Sequence, residues 1–472
     1  MTYPNVLVMG YLKATGQLTP ETAMKLKHAI HLGYQRLLTF ETPDGGFDWY
    51  GRSPGKTILT AYGLLEITAM SKVHDVDPAW IARIAKWLLA QQMPDGRFPA
   101  EGCPHSWRGT EGSSLAATAY VTWALLEAGH RDPASASISW LRRHAEEAQD
   151  PRDLALLANA LVAWNADHEF TRGVLRRLEA AAIRDGRQSH WESALEGFVY
   201  SSGASAHAET TALATYALLR GRGSPERANG ALEWLSRAKS ANGTWGSTQA
   251  TILAIQALLA AAQSGGSALK GTVEVRASLN GGPTATLTFA EGKTDYLQQL
   301  SFRGQARAGG NRLRLEATAE SGLVWQTVGR AWIPGRAAPA PDAGPLELSV
   351  TYDRTTLSAD ETLRAQVRVA TRAENPTFMV IADLGVPPGF EPLTEDLEQL
   401  VARRVIDKFA LPGRQVTVYL GDLARGKPIE FSFRMRARFP VRAAVPPSTV
   451  YEYYTPSRRA EASGLPEEVD VR

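Results

Sequence analysis

The chain has 472 residues, 44% of them hydrophobic and 21% charged, and its formal net charge is +2. This length predicts about three domains, the composition is typical of globular proteins, and the balanced charge argues against nucleic acid or an anionic membrane as a partner. The single cysteine excludes an internal disulfide framework. No apolar stretch approaches the roughly twenty residues of a membrane span, and no basic segment followed by an apolar core marks a signal peptide in this chain.

A short glycine-rich turn that ends in an aromatic residue recurs in the first part of the chain. Clear copies are Asp44–Phe47, Asp95–Phe98 and Asn242–Trp245, and a weaker copy runs from Asp185 to Trp191. Each copy follows one apolar helix and precedes another. The pattern therefore predicts a hairpin of two helices per repeat, spaced by about fifty residues where adjacent copies are visible.

Two kinds of helix alternate between Pro4 and Gln263. Amphipathic helices, such as the one whose start is marked by Thr19-Pro20-Glu21, alternate with nearly all-apolar helices, which are typical of segments buried on most sides. The apolar group comprises Ile58–Ile67, Leu115–Ala128, Thr211–Leu219 and Ala250–Ala262. This alternation predicts two concentric rings of helices. The count is about eleven, and because helix pairs require an even number, we expect one helix to be missing, incomplete or uncounted.

Four tryptophans at helical spacing are predicted to lie in the core of this region, because large aromatic side chains dominate the packing of helical interiors. They are Trp87, Trp123, Trp140 and Trp234.

The apolar pattern changes from helical to alternating after the flexible joint at Ser264–Ser267. Val273–Leu279 alternates apolar with polar residues, which indicates a small β segment over residues 271–333. A linker rich in proline and alanine follows, and residues 346–472 form a second β unit interrupted by a short helix from Thr394. The clearest strand of this unit places one apolar face on alternate residues: Phe431, Phe433, Met435, Ala437 and Phe439.

A double ring of helices is compatible with two kinds of enzyme. Isoprenoid chemistry, as in terpene cyclases, requires clustered aspartates or a zinc site, and the sequence has no D-x-D-D run. Glycan cleavage requires two facing carboxylates. Glu111 and Glu209 lie near the starts of apolar helices and could face a common opening. The alternative is that both are ordinary acids at helix N-termini.

Covalent capture is a third kind of chemistry that the residues allow. The loop Glu101–Gly109 carries Cys103, His105 and Ser106 together. A Cys-x-His pair suggests a nucleophile with its base. The alternative is a partly buried free thiol beside a surface imidazole, because Pro104 fixes the loop without aiming the two groups at each other.

Several segments resemble the α2-macroglobulin and complement protein family, in order and over nearly the whole chain. Four resemble the segment that follows the thioester of these proteins: Tyr3–Val8, Tyr11-Leu12, Thr15–Thr19 and Gly33–Leu38. Gly246–Thr251 resembles the last-helix signature of the same domain. Three more resemble the macroglobulin receptor-binding domain: Asp383–Phe390, Asp396–Glu398 and Val450–Tyr454.

The resemblance implies a multidomain α + β fold with three parts. Residues 1–263 would form a thioester-domain α/α toroid, a terpenoid cyclase-like double ring of helices. Residues 271–333 would form CUB-like strands, and residues 346–472 a receptor-binding-type β-sandwich. The abundance of arginine and alanine over lysine and isoleucine is consistent with a bacterial member of the family.

The resemblance also implies an activity, that of an endopeptidase inhibitor and not of an enzyme, with no cofactor and no metal. Such proteins trap proteases: a bait region is cut, the body rearranges, and a Cys–Gln thioester acylates the attacker. The thioester segment resembles C-x-E-Q and should lie just before Thr2, but the present sequence does not contain it. Cys103 cannot substitute, because no glutamine stands three residues after it.

We therefore expect the chain to be the C-terminal part of a longer inhibitor, unable to trap a protease alone. Its partners would be proteases, through the full-length protein, and the upstream macroglobulin domains. The family is secreted, periplasmic or at the cell surface. If a helix is missing upstream, the flank that carries Val6, Leu7 and Tyr11 should be exposed. A stand-alone toroid and β-sandwich that serves as a binding or scaffold module is the alternative.

His105 is the site residue that the resemblance singles out. In some complement proteins a histidine in this interhelical loop attacks the thioester, and the released thiolate then directs transfer to hydroxyl groups. Relatives without it favour amines. His105 is accordingly a candidate thioester-attacking histidine. The receptor function of animal relatives depends on lysines on the helix of the last domain, where this chain has Arg403, Arg404 and Lys408.

Overall fold

The structure is a computed structural model, and it describes most of the chain. The described residues are 2–100, 113–195, 197, 201, 203–240, 243–263, 271–290, 298–318, 325, 327–329, 344–374, 377, 379–421, 423–453 and 455–472.

The first part of the chain is built from eleven α-helices within the described residues. In chain order they are α1 (Thr2–Ala14), α2 (Pro20–Leu38), α3 (Thr57–Met70), α4 (Pro78–Ala90), α5 (Ser114–Glu127), α6 (Arg131–Arg143), α7 (Pro151–Asn165), α8 (Glu169–Ala180), α9 (Ala204–Arg220), α10 (Pro225–Ala238) and α11 (Thr248–Gln263). A 3₁₀ turn at Ala145–Glu147 precedes α7, and a small hairpin of β1 (Ile183–Asp185) and β2 (Gln188–His190) precedes α9.

The odd-numbered helices form a closed inner ring. Each of α1, α3, α5, α7, α9 and α11 packs against the next, and α11 packs against α1. The even-numbered helices lie outside, each against the inner helix that precedes it. The inner helices are the apolar ones: every residue from Leu115 to Leu126 in α5 is buried. The predicted double ring is confirmed.

The outer ring has one helix fewer than the inner ring in the part of the chain that the structure describes. The expected exposure of the flank carrying Val6, Leu7 and Tyr11 is wrong, because α1 packs among α2, α3 and α11 and buries Val6 and Tyr11. The uncovered apolar surface belongs to α11 instead. Ile255 and Leu258 are only half-buried there, since no described outer helix pairs with α11.

The recurrent turns share one geometry. Gly45, Gly96 and Gly243 have φ of 91°, 95° and 79°, the left-handed region that favours glycine. The backbone N–H of the aromatic residue then donates to a threonine hydroxyl of the next inner helix. These bonds are Phe47 to Thr60 (2.9 Å), Phe98 to Thr118 (2.9 Å), Trp191 to Thr211 (3.0 Å) and Trp245 to Thr251 (3.1 Å). Since each turn joins an outer helix to the following inner helix, the turns lie on one rim of the toroid, as predicted.

Two of the four predicted core tryptophans are buried. Trp123 is 1% exposed and Trp140 is 5% exposed. Trp87 and Trp234 are half-buried and pack against the same core, so the prediction holds only in part for them. Both stand on outer helices: Trp87 Nε1 donates to Asp44 (3.1 Å), and the face of the Trp234 ring stacks on the His190 ring.

A three-stranded antiparallel sheet follows the toroid. It consists of β3 (Val273–Leu279), β4 (Ala285–Phe289) and β5 (Leu313–Ala317), with β3 in the centre. In its register Val275 pairs with Leu287 and Ala277 pairs with Leu315. Most of its apolar side chains are only half-buried.

The C-terminal part contains twelve strands and one helix within the described residues. They are β6 (Leu346–Tyr352), β7 (Thr356–Leu357), β8 (Thr362–Thr371), β9 (Val380–Gly385), β10 (Phe390–Pro392), α12 (Thr394–Ala402), β11 (Lys408–Ala410), β12 (Gln415–Leu420), β13 (Ile429–Ala437), β14 (Val441–Ala444), β15 (Thr449–Glu452), β16 (Thr455–Glu461) and β17 (Glu468–Val471).

These strands form a β-sandwich around a second hydrophobic core. One sheet has the strand order β10-β13-β8-β6 and the other β11-β12-β9-β15-β16, with a small sheet β14-β17-β7 at one end. Phe431, Phe433, Met435 and Ala437 of β13 point into the core, as the alternation predicts. Phe439 does not: the strand ends at Ala437, and Phe439 lies 54% exposed beyond it.

Candidate functional site

The candidate site is the rim where the inner helices begin. His105, the candidate thioester-attacking histidine, lies with Cys103 and Glu111 in the segment 101–112, outside the described residues. The chain re-enters the described part at Ser113, the N-cap of α5. Its hydroxyl accepts a bond from Ala116 N (3.1 Å) and donates to Asp153 on α7 (3.1 Å). The role of His105 therefore stays a prediction.

Buried charges lie at the same rim, at the starts of α7 and α9. Arg152 is 1% exposed and its Nη2 is 3.0 Å from Asp153 Oδ1. Burial raises the pKa of Asp153, and the Arg152 guanidinium opposes that rise. Burial likewise raises the pKa of Glu209, opposed by a hydrogen bond from Ser201 and by Arg152. The Arg152 guanidinium therefore offsets part of the desolvation cost of two buried carboxyl groups.

Glu209 was one of the two carboxylates of the glycan-cleavage interpretation. It is 1% exposed and already bonded to Ser201. Its proposed partner Glu111 lies outside the described residues, so a facing pair stays a prediction. Among the residues that the structure describes, no group of three or more His, Cys, Asp or Glu side chains is arranged to hold a metal ion.

A cavity of about 380 Å³ opens at the start of α1. Its walls are mainly apolar and aromatic: Phe40, Phe47, Trp49, Tyr62 and Ile252 contribute to them. Three charged residues also line it, Arg36, Asp48 and Glu66. Glu66 is 3% exposed, and burial raises its pKa to about 7 against a hydrogen bond from Tyr62 that lowers it.

The loop beside this cavity contacts the C-terminal sandwich. Asp48 Oδ2 accepts bonds from the backbone N–H of Tyr50 (3.0 Å) and of Arg52 (3.3 Å), which fixes the loop. The Tyr50 hydroxyl then donates to Met379 Sδ (3.5 Å), and Arg52 Nη1 lies 3.6 Å from Asp407 Oδ1. The helical and β parts therefore meet next to the cavity.

Glu66 and Tyr50 are site residues that sequence reasoning missed. A signal existed for Glu66, since it is the charge inside the apolar helix Ile58–Ile67. A charge in such a helix must find a partner or a cavity. Nothing in the sequence pattern singled out Tyr50, because its contact joins residues 329 positions apart.

Family models match both the helical and the sandwich parts of the chain. Residues 1–260 match the model of the A-macroglobulin TED domain, which is more than half of the chain, and residues 375–463 match that of the A-macroglobulin receptor binding domain. The chain belongs to the α-macroglobulin family. The resemblance read from its sequence segments is confirmed.

Relatives within the α-macroglobulin family are longer proteins. Ovostatin from Gallus gallus is 26% identical over 97% of this chain and 32% of its own length. Thioester-containing protein 1 allele S1 from Anopheles gambiae is 27% identical over 54% of this chain and 19% of its own length. The chain thus spans about a third of the first relative and a fifth of the second.

Solved bacterial α2-macroglobulins share the fold. Native α2-macroglobulin from Escherichia coli, solved from domain MG7 to the C-terminus, superposes with a TM-score of 0.68 at 17% identity, covering 100% of this chain and 72% of that structure. Salmonella α2-macroglobulin reacted with methylamine superposes with a TM-score of 0.65 at 17% identity, covering 99% of this chain and 29% of that structure. The predicted class, an α/α toroid followed by β domains, is confirmed.

Proposed function

We propose that this chain is the C-terminal part of an α2-macroglobulin-like endopeptidase inhibitor that traps proteases covalently. The match of residues 1–260 to the TED domain carries the proposal, since that is the domain in which the family keeps its thioester. The arrangement at the rim supports it. A C-x-E-Q segment leading into Thr2 would lie beside the cavity, on the same rim as Ser113, where the His105 loop ends.

The proposed reaction breaks the thioester, so each molecule can react only once. The thioester joins a cysteine sulfur to the acyl carbon of a glutamine side chain. A neutral amine of the captured protease attacks that carbon, an amide bond forms, the carbon–sulfur bond breaks, and the cysteine leaves as a thiolate. The proton that the amine nitrogen loses goes to this thiolate or to water. Since nothing in this step restores the thioester, the protein acts stoichiometrically, as an inhibitor and not as an enzyme.

His105 would change the acceptor. Its imidazole would attack the acyl carbon first and form an acyl-imidazole with release of the thiolate. That thiolate would then remove the proton of a hydroxyl acceptor, whose oxygen attacks the acyl carbon. The carbon–nitrogen bond breaks, the imidazole leaves, and an ester forms. Imidazole suits this step because it is a neutral nucleophile near pH 7.

The proposed location follows from the partners. Capture of external proteases requires a protein outside the cytoplasm, in the periplasm, at the surface or secreted, joined to its upstream macroglobulin domains. Within the described residues no helix is both long and apolar enough to cross a membrane.

A stand-alone scaffold module is the second candidate. The closed inner ring and the separate sandwich core favour it, because each part of this chain buries a core of its own. The two candidates differ in the genomic sequence upstream of Met1. An in-frame C-x-E-Q codon run shortly before Thr2 is expected for the inhibitor. A stop codon there, with no such run in the same reading frame, would favour the scaffold and contradict the inhibitor.

A further inference from the structure

Three large apolar side chains lie exposed on the outer surface of α2. Met24 is 68% exposed, Leu32 is 53% exposed and Leu38 is 43% exposed. They make up three of the ten exposed large hydrophobic side chains of the described residues, and they do not belong to the apolar groups that pack on the toroid core. A single helix therefore concentrates apolar surface that is available to a partner.

The helical period places the three side chains on one face. At about 100° and 1.5 Å per residue, Leu32 lies about 80° to one side of Met24 and Leu38 about 40° to the other, over about 21 Å of helix. The buried residues Ile30 and Gly33 lie on the opposite face, which packs against α1. We call the exposed face that carries Met24, Leu32 and Leu38 the α2 stripe.

The charges of α2 beside this stripe are mostly positive. Lys25, Lys27 and Arg36 stand against one acid, Glu21. Lys25 Nζ lies 2.6 Å from Glu21 Oε1, so this acid is already paired. Lys27 forms no ion pair within the described part of the chain. The α2 stripe thus combines apolar side chains with an excess of positive charge.

The loop between α3 and α4 does not reverse this excess. It meets α2 where the centroids of the His74 and His31 rings lie 5.9 Å apart. Its charged residues are two acids and one base: Asp75, Asp77 and Lys72. Lys13 at the end of α1 supplies a second base, since its Nζ donates to a carbonyl oxygen of the same loop (3.5 Å). The charges at this border therefore balance, and the excess on α2 remains.

A lipid surface suits this combination. Helices that lie in the plane of a membrane interface present apolar side chains flanked by lysines, so that the apolar groups enter the acyl boundary and the cations meet anionic headgroups. The α2 stripe is the outer, convex face of one helix, which a flat surface can meet along its length. A second copy of the chain suits it less, because it would bring the two sets of lysines together.

We propose that the α2 stripe docks the toroid on an anionic lipid surface. Met24, Leu32 and Leu38 would lie at the headgroup boundary, with Lys25 and Lys27 among the headgroups. The nearly neutral whole chain argued against such a partner, but a net charge of +2 over 472 residues does not describe one face. The inference goes beyond the proposed function, because it requires neither a thioester nor a captured protease.

The test mixes the 472-residue chain with lipid vesicles and measures the bound fraction by flotation. Vesicles of equal parts phosphatidylcholine and phosphatidylglycerol should bind at least about tenfold more tightly than pure phosphatidylcholine, since each lysine at an anionic surface strengthens binding roughly fivefold. Raising the salt from about 0.1 M to about 1 M shortens the Debye length from about 10 Å to about 3 Å and should remove most of this difference. Equal binding to both kinds of vesicle at low salt would overturn the proposal.

Apolar substitutions test the stripe itself. The double variant Met24→Gln/Leu32→Gln should bind anionic vesicles at least about tenfold more weakly, by loss of apolar area from the lipid boundary. Ile183→Gln is the control and should bind like the wild type: Ile183 is 41% exposed and follows α8, which packs on α7, opposite α1 in the ring. Both variants should keep the wild-type melting temperature, because every substituted site is exposed. Wild-type binding by the double variant would contradict the proposal.

A lysine substitution tests the electrostatic part. Lys27→Gln should weaken binding to anionic vesicles about fivefold and leave the weak binding to neutral vesicles unchanged. Arg176→Gln is its control, since Arg176 is an exposed cation of α8 on the opposite side of the toroid. A loss at Arg176 equal to that at Lys27 would show attraction by the whole chain and not by the α2 stripe, and the proposal would fall.

Two other occupants of the α2 stripe are recognised with the same proteins. Tighter binding of the wild-type chain to polyglutamate than to anionic vesicles would identify an acidic polypeptide as the partner. A wild-type dimer that the double variant converts to monomer, measured by sedimentation without lipid, would identify a second copy. Either result would overturn the proposal, and a monomer that prefers anionic vesicles supports it.

Discussion

In both parts of the molecule, a single arginine pairs with acidic side chains. At the toroid rim, Arg152 faces Asp153 and Glu209. In the sandwich, Asp396 accepts bonds from Arg434 through its backbone N–H (2.9 Å), Nε (2.9 Å) and Nη2 (2.7 Å). These bonds lower the pKa of Asp396. Glu395 and Asp396 are the acids of the first turn of this helix. The sequence alone does not show that Asp396 ties α12 to β13, since that contact depends on sheet register.

Asp396→Asn tests this tie between α12 and β13. Because the pKa of Asp396 is lowered in the folded state, the stability it supplies is present above its unfolded pKa of about 4 and is lost as the pH falls through the lower folded value. We expect the substitution to lower the free energy of unfolding of the sandwich by about 1–2 kcal/mol at pH 7, as for a partly exposed charged hydrogen bond. The loss should shrink towards pH 3. Urea unfolding at both pH values measures it.

Glu395→Gln is the control for this measurement, because Glu395 is an exposed acid of the same helical turn. It should change the unfolding free energy little at either pH. A loss at Glu395 equal to that at Asp396 would show that the helix N-terminus, and not the bond to Arg434, stabilises this region.

His105 has a test of its own at the residue scale. In a protein with the upstream C-x-E-Q segment restored, we expect the thioester to transfer to hydroxyl acceptors such as glycerol. His105→Ala should shift transfer towards amines and slow the reaction with water, because the acyl-imidazole route is removed. Mass spectrometry of glycerol and methylamine adducts measures the ratio. Glycerol incorporation unchanged by the substitution would show that His105 is only a loop residue.

At the scale of elements, the turn between an outer and an inner helix is the unit that builds the toroid. The glycine and aromatic positions predicted these turns, because positive φ and burial of a large ring both leave a sequence signal. The threonine whose hydroxyl accepts the hydrogen bond from the aromatic residue's N–H has no such sequence signal. Thr60, Thr118 and Thr251 look like ordinary members of an apolar helix, and only the helix position in three dimensions brings their hydroxyls to the turn.

Thr118→Val tests this hydrogen bond. The substitution keeps the side-chain shape but leaves the buried N–H and C=O of Phe98 without the hydroxyl that now bonds both (2.9 and 3.3 Å). We expect a loss of about 1–3 kcal/mol in the free energy of unfolding, the cost of an unsatisfied buried group. Thr122→Val is a matched control one turn along α5, because the Thr122 hydroxyl is buried without a partner in the described structure. It should be neutral or stabilising, and equal losses at both sites would contradict this account.

At the scale of the whole molecule, one side of the toroid has no outer helix among the residues that the structure describes. The helix count predicted that one helix is missing, incomplete or uncounted, and the exposed flank was expected on α1. Sequence alone could not show that α1 and α11 close the inner ring. The exposed apolar surface is on α11, where Leu258 is half-buried. The three-stranded sheet after it is also sparsely covered. Both features fit a chain that spans about a third of ovostatin.

Leu258→Gln tests the uncovered surface of α11. Exposed apolar patches favour association, so the substitution should raise the monomer fraction of this chain with little change in its melting temperature. Leu253→Gln on the same helix is the control. Leu253 is 3% exposed, and its replacement should lower the free energy of unfolding by about 2–5 kcal/mol, as for other truncations or polar replacements in a packed core. Analytical ultracentrifugation and thermal unfolding measure the two effects, and an unchanged monomer fraction in Leu258→Gln would count against the account.

The mass of the upstream-extended protein tests the central claim most directly. Closure of a thioester between the cysteine thiol and the glutamine amide of C-x-E-Q releases one ammonia. The mass of the native protein should therefore be lower than the mass calculated from its sequence by one ammonia, and that cysteine should show no free thiol. Added methylamine should raise the mass by that of one methylamine molecule and expose one free thiol. A native mass equal to that of the sequence, with the cysteine already reactive, would contradict the proposal that this toroid holds a thioester for trapping proteases.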